Sequence, residues 1–206
     1  MPLRVRKNSF VSKLSEKEWG LLRSRFSRSR CVLLPGFLDA PLLDSINRRI
    51  LPSDYYERKD KGIAAESCMK KNPVFDFFHF LLNDESIFRA VEKITDCPVI
   101  RNFQGRLYRL LPGAGHYDSW HNDMGSKRMI GLSISLGPYR GGFLEMRQEP
   151  QGRILRRIRH RRPGDALLFK IASDLKHRVT PVLGERPRTA FAGWFHSSPR
   201  FSKLIQ

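Results

Sequence analysis

The stretches RMIGLSISL (128–136), GGFLEMR (141–147), RILRRIRH (153–160), DALLFKI (165–171), HRVTPV (177–182) and RTAFAGWF (188–195) follow one another with short Gly- and Pro-bearing breaks. Each is a brief apolar or alternating run bounded by turn residues, the pattern of strands rather than helices. PVIRNFQGRLYRLL (98–111) precedes them in the same style. About seven short strands at this spacing close as a β-sandwich or jelly roll.

Upstream the periodicity is helical. Ser15-Glu16-Lys17-Glu18 is a capping box, and Trp19, Leu22 and Phe26 follow at helical spacing, which predicts an amphipathic helix over 15–28. CVLLPGFL opens with a short strand over 31–34, broken by Pro35-Gly36. Leu42, Leu43, Ile46 and Ile50 mark a helix over about 40–51, and further helices are expected at 73–82 and 84–94, the last started by Asp84. Residues 52–72 show no sustained period and read as a loop, either functional or mobile. The expected fold class is mainly β with N-terminal helices. Residues 1–97 form a mostly helical support layer and 98–196 a jelly-roll core, in a single domain spanning 1–206.

The 206 residues are 40% hydrophobic and 11% aromatic, an ordinary globular composition. No apolar run approaches the roughly 18 residues needed to cross a bilayer, and the basic N-terminus lacks the apolar stretch of a signal peptide. Cys31, Cys68 and Cys97 lie far apart with no CxxC pair, which suits a reducing compartment and a cytoplasmic protein. The net charge of +18 favours acidic partners, nucleic acid among them, although solubility alone would also account for it.

His121-Asn122-Asp123 stands just after a Gly- and aromatic-rich loop and just before a strand. In an extended segment residues two apart face the same side, so an imidazole and a carboxylate share a face. A second imidazole from a neighbouring strand would complete two His and one carboxylate on one side of a metal, an arrangement that suits non-haem Fe(II). Of the six histidines, His79 lies on a helix face, His116 in the preceding loop, His160 in an arginine run and His196 near the C-terminus. His177 follows a turn-and-strand unit able to return beside His121. By itself His-x-Asp is weak, since it is common in loops.

Five stretches in order strengthen it: VLLPGFL (32–38), GHYDSWHND (115–123), YRGGFLEMR (139–147), PGDALLFK (163–170) and HRVTPVLGERPRTAFAGWF (177–195). Together they resemble the 2-oxoglutarate/Fe(II) oxygenase superfamily, in particular its prolyl-4-hydroxylase-like branch, whose fold is the double-stranded β-helix or jelly roll. The resemblance implies Fe(II) held by His121, Asp123 and His177, with 2-oxoglutarate and O2 as cosubstrates and ascorbate as a possible reductant. It implies an arginine after the distal histidine that grips the far carboxylate of 2-oxoglutarate with its planar fork. Arg188, six residues before Trp194, is preferred and Arg186 competes, both facing one way by parity. Tyr108 would add a hydroxyl to the same carboxylate or be an ordinary half-buried strand tyrosine. The carboxylate at Asp123, where halogenating relatives carry a small residue, makes hydroxylation the expected outcome.

The substrate is left open. A small molecule, an amino acid or natural-product intermediate, comes first, and a protein or ribosome-associated target second. A catalytically inactive jelly roll binding nucleic acid or an acidic partner through its basic surface comes third. The run RILRRIRHRR (153–162) reads as a solvated edge strand protected by charge, or as a phosphate-binding strip without interleaved aromatics.

Overall fold

A hairpin of β1 (Leu3–Arg6) and β2 (Ser9–Ser12) leads into α1 (Glu16–Ser29) in the computed structural model, which describes residues 3–7, 9–125 and 127–198. The Ser15 hydroxyl accepts the Glu18 N–H while Glu18 takes the Ser15 N–H at 2.8 Å, so the capping box forms as the sequence predicts. Arg30 in the left-handed conformation ends α1, and β3 (Cys31–Leu34) follows at once. Asp39 caps α2 (Ala40–Ile50), Asn72 caps α3 (Pro73–Leu82) and Asp84 caps α4 (Glu85–Thr95).

The segment 52–72 is not a loop. It is a hairpin of β4 (Tyr55–Asp60) and β5 (Ala64–Met69), turned at Gly62 with φ +73° and closed by an Ile63 N–H bond to the Asp60 carbonyl at 2.9 Å. The sequence hid it because β5 is buried at every position, which erases the alternation by which strands are recognised.

The remaining strands are β6 (Asn102–Leu110), β7 (Tyr117–Asp118), β8 (Arg128–Ser135), β9 (Arg140–Gly141) and β10 (Leu144–Gln148). After them come β11 (Arg153–Ile158), β12 (Ala166–Lys170), β13 (Leu175–Val179), β14 (Val182–Leu183) and β15 (Arg188–His196). One large antiparallel sheet runs β3-β12-β8-β15-β6-β5-β4, with β7 on β5. A smaller sheet runs β11-β10-β13, and β9 pairs β14. The fold is mainly β, a curled antiparallel jelly roll with four helices among the described residues.

Two cores follow from strand alternation. On one side of the large sheet, Leu107, Leu132, Ile134, Phe191 and Phe195 pack against Trp19, Phe26, Phe78, Ile87 and Ile94 of the helices. Phe78 stacks on Phe191 with ring centroids 4.2 Å apart. On the other side Leu144, Met146, Leu167, Phe169 and Leu175 fill the space between the sheets. In β15, Arg188, Ala190, Ala192 and Trp194 alternate with Phe191 and Phe195, and the small alanines leave room beside the large polar residues. Gly193 sits where a Cβ would overlap backbone atoms of Gln104 and Gly105 in the neighbouring strand. Gly193→Ala should therefore cost about 1–3 kcal/mol and lower the melting temperature by about 3–10 °C in a thermal unfolding scan.

The basic run forms the edge strand β11. A register irregularity opposite Met146/Arg147 leaves Leu155 out of the pairing. Arg157 pairs with Glu145 at 3.4 Å, while Arg156 donates to the Ser29 hydroxyl at 3.1 Å. Segments next to the smaller sheet supply the aromatic rings that the run lacks, and arginines cover them. Phe143 lies under Arg157 and Arg159, at 4.4 and 5.3 Å, and Trp120 between Arg147 and Arg178, at 4.5 and 4.6 Å. Among the described residues no helix is long and apolar enough to cross a membrane.

Candidate active site

β13 alternates Leu175, His177 and Val179 inward against Lys176 and Arg178 outward, which aims the His177 ring between the two sheets. The ring rests on Phe169, with centroids 4.8 Å apart, and Gly131 opposite leaves the space that the Phe169 ring fills. His121 arrives from the loop after β7. Its backbone N–H bonds the His177 carbonyl at 3.1 Å and its carbonyl receives the His177 N–H at 2.8 Å. These two bonds put the rings side by side, centroids 4.4 Å apart.

Asp123 closes the cluster. Its Oδ2 lies 3.2 Å from His177 Nε2 and its Oδ1 3.6 Å from His121 Nε2. One ligating atom from each of His121, Asp123 and His177 falls within 4.8 Å of the others. Two imidazoles and one carboxylate converging in this way fit a divalent iron. The other ring nitrogen of His121 is held by the Ser119 carbonyl at 2.7 Å and Asp118 Oδ1 at 3.2 Å, which fixes the ring so that Nε2 points at Asp123. The Trp194 indole N–H donates to Asp123 Oδ2 at 2.6 Å, and the Arg128 guanidinium stacks on that indole at 3.7 Å.

Electrostatics follow from these contacts. Burial disfavours a charged His121, but Asp118, the Ser119 carbonyl and Asp123 outweigh it and raise its pKa to about 9. Its ring therefore carries a proton at neutral pH, which a metal must displace. Burial likewise opposes ionisation of Asp123, yet His177, the Trp194 N–H and His121 hold it well below the usual carboxylate range.

A cavity of about 330 Å³ opens beside the cluster, lined by all three residues together with Tyr108, Ser133, Arg188, Trp194, Arg106 and Glu66. Arg188, the first residue of β15, is 2% exposed. It donates to the Tyr108 hydroxyl and, at 3.0 Å, to the Ser133 hydroxyl. Its Nε has no hydrogen-bond partner, and no carboxylate lies within ion-pair range of it among the described residues. Arg186 is placed elsewhere. It is exposed in the turn before β15, against a surface hollow shared with Tyr139 and Arg140. The parity expected to align both arginines fails because the strand begins only at Arg188. Tyr108 is 5% exposed, more deeply buried than a half-buried strand tyrosine.

Behind Arg188 lies a polar relay that sequence reading missed. His160 Nε2–H donates to the Ser133 carbonyl at 2.8 Å, which leaves Nδ1 to accept from the Tyr139 hydroxyl at 2.8 Å. Burial, reinforced by the Arg188 charge, pulls the His160 pKa down to about 3. The unfolded chain takes up this proton below pH 6.5 and the folded protein does not, so stability falls as pH drops from 6.5 towards 3. Between pH 6.5 and 5 the loss amounts to about 2 kcal/mol. His160→Gln should remove that part of the acid sensitivity, as read from urea midpoints at the two pH values.

Of the other residues singled out in the sequence, Asn122 accepts the Met124 N–H at 3.4 Å and lines the cavity. Asp165 is a structural clamp, taking the backbone N–H groups of Gly36, Arg161 and Arg162. His79 bonds the Gly105 carbonyl, and His116 bonds Glu57. Trp194 and Asp118 had usable signals, since Trp194 shares the strand parity of Arg188 and Asp118 lies one turn of loop before His121. Glu66 and Arg58 had none, because their hairpin read as a loop.

Residues 104–196 match the family model described as the 2OG-Fe(II) oxygenase superfamily. This stretch, just under half of the chain, carries all three clustered residues and Arg188, and its match supports a 2-oxoglutarate- and iron(II)-dependent dioxygenase. Its fold is shared with a Pseudomonas putida prolyl-4-hydroxylase at 17% identity and TM-score 0.64, over 86% of this chain and 98% of that one. It is also shared with a Trichoplax adhaerens prolyl hydroxylase in complex with a hypoxia inducible factor oxygen degradation domain peptide fragment, at 14% and 0.66, over 88% and 90%. The epimerase SnoN in complex with Fe3+, alpha ketoglutarate and nogalamycin RO is similar at 13% and 0.61, over 88% and 84%. No curated protein matches the chain.

Proposed function

We propose that the protein hydroxylates an unactivated C–H bond of a small molecule, an amino acid or natural-product intermediate. In this reading His121, Asp123 and His177 hold Fe(II), and Arg188 with Tyr108 grips the distal carboxylate of 2-oxoglutarate. The observation that carries it is a fully buried guanidinium without a carboxylate, in the same cavity as two imidazoles and an aspartate. A buried unpaired cation is costly, and an anionic cosubstrate offsets that cost.

The overall reaction balances as R–H plus O2 plus 2-oxoglutarate giving R–OH, succinate and CO2. Iron(II) in this site supplies the oxidising chemistry. The chain itself orients the ligands through Asp118 and Trp194, anchors the cosubstrate through Arg188, and shields the centre with Phe169, Leu144 and Leu167. At about 330 Å³ the cavity is at the small end of ligand pockets, which supports a small substrate once 2-oxoglutarate is inside. A protein target is the second reading, favoured by the peptide carried by the Trichoplax relative. Three free thiols suit a reducing compartment such as the cytoplasm, and the core shared by helices and large sheet suits one domain.

Anaerobic titration with Fe(II) and 2-oxoglutarate, followed through the visible charge-transfer band of the chelate, tests the site. A band that survives in His121→Ala, Asp123→Ala and His177→Ala would remove these residues from it.

A further inference from the structure

Glu66 is 3% exposed and lines the cavity, yet it is bonded on one side only. Arg58 Nη1 reaches Glu66 Oε1 at 2.9 Å, Arg106 Nε reaches the same oxygen at 2.6 Å, and the Cys68 thiol reaches it at 3.5 Å. Among the described residues no hydrogen bond goes to Oε2. One oxygen of this carboxylate is triply engaged, and the other is left to the cavity that the residue lines. Burial pushes its pKa up, but Arg106 and Arg58 outweigh that and hold it below the usual value, so the idle oxygen belongs to a carboxylate anion.

Arg106 is the complementary half. Only its Nε is used, on Glu66, and its two Nη groups donate no hydrogen bond among the described residues. The guanidinium lies 5.4 Å from the Tyr108 ring centre and 5.5 Å from that of Trp194, and all three residues line the cavity. Arg58 is the more committed of the two, with its Nη1 on Glu66 and its Nη2 on Asp60 at 3.2 Å. Trp194, which Arg106 overlies, donates to Asp123. The idle acceptor and the idle donors therefore stand side by side, one indole away from the metal-ligand candidates.

We propose that Glu66 and Arg106 together bind the zwitterionic head of a free α-amino acid, the ammonium on Glu66 Oε2 and the α-carboxylate on the Arg106 Nη pair. This rests on the small-molecule reading above and names its substrate class. An α-amino acid carries its cation and anion on one carbon, which matches an acceptor and a forked donor already joined to each other. The pair fixes the head group, and the side chain is left to extend towards His121, Asp123 and His177.

The test is a calorimetric binding panel on protein loaded with redox-inert Mn(II) and 2-oxoglutarate, run beside succinate release with Fe(II). The probes are the twenty free L-amino acids, the matching N-acetyl amino acid amides, and the α-hydroxy acid of each binder. The expected result is binding and stimulated succinate release by one or a few free amino acids, with the capped forms weaker by at least about 30-fold. Glu66→Gln should weaken the amino acid by about 10-fold or more while leaving its α-hydroxy acid unchanged, a selective loss that a misfolded wall would not give. Arg58→Gln serves as the structural control and should affect both ligands alike. Capped forms binding as well as free ones, or no free amino acid binding at all, would overturn the proposal. Absence of any 2-oxoglutarate turnover would instead count against the enzyme site, while the calorimetry would still decide the head-group pair.

Discussion

Arg188→Ala should raise the KM for 2-oxoglutarate by at least about 30-fold, and Arg186→Ala by less than about twofold. Truncating one member of a buried, hydrogen-bonded charge pair costs about 2–5 kcal/mol, which sets the lower figure. The difference between the two arginines follows from their surroundings, one enclosed with Tyr108 and Ser133, the other exposed in a turn. Arg188→Lys should recover little, because a point charge cannot replace the two-pronged grip. A second readout separates anchoring from folding. Saturating 2-oxoglutarate should raise the melting temperature of the wild type by about 5–10 °C at 100 times its Kd, and that of Arg188→Met hardly at all. In the absence of cosubstrate Arg188→Met should be no less stable than the wild type, since it removes a buried cation that lacks a carboxylate. A KM that moves with Arg186 instead would reassign the anchor.

His177→Ala and Asp123→Ala should each lower hydroxylation by more than about 10³-fold and abolish tight Fe(II) binding, measured by succinate release and metal analysis after desalting. With one of the three proposed ligands gone, the remaining pair would offer too few donors to hold Fe(II) tightly. Trp194→Phe makes a graded comparison. It keeps the ring but removes the N–H that holds Asp123 Oδ2, so a loss of about 10- to 100-fold is expected. Equal losses in all three variants would mean that the tryptophan binds the metal-facing group far more tightly than an orienting contact should.

The ordered strand runs, the caps at Ser15 and Asp84 and the His121/Asp123 pair were legible because each rests on local chemistry: a period, a capping side chain, a pair two residues apart. His177, far along the chain, was legible through the family resemblance. Arg188 was legible as one of two candidates, and only the start of β15 separates it from Arg186. What stayed hidden depends on long-range pairing. The β4–β5 hairpin offered no alternation because β5 is covered on both faces. The His160–Tyr139 contact joins residues 21 apart, and the Glu66–Arg106 contact residues 40 apart. The irregularity in β11, which leaves Leu155 out of the pairing with β10, carries no local mark in the basic run.

The β4–β5 hairpin is attached lightly. β5 meets β6 at two paired positions, Ser67 with Arg109 and Cys68 with Tyr108, and meets β7 at two more. The residues proposed to hold iron and cosubstrate are borne on other segments, whereas Glu66 and Arg58 ride on this ribbon. On the proposed reading, the ammonium half of the head-group pair is thus carried on a piece of chain separate from the oxidising machinery, while Arg106 shares β6 with Tyr108. A descendant could exchange the ribbon wholesale, keep its chemistry intact, and find itself working on a different molecule.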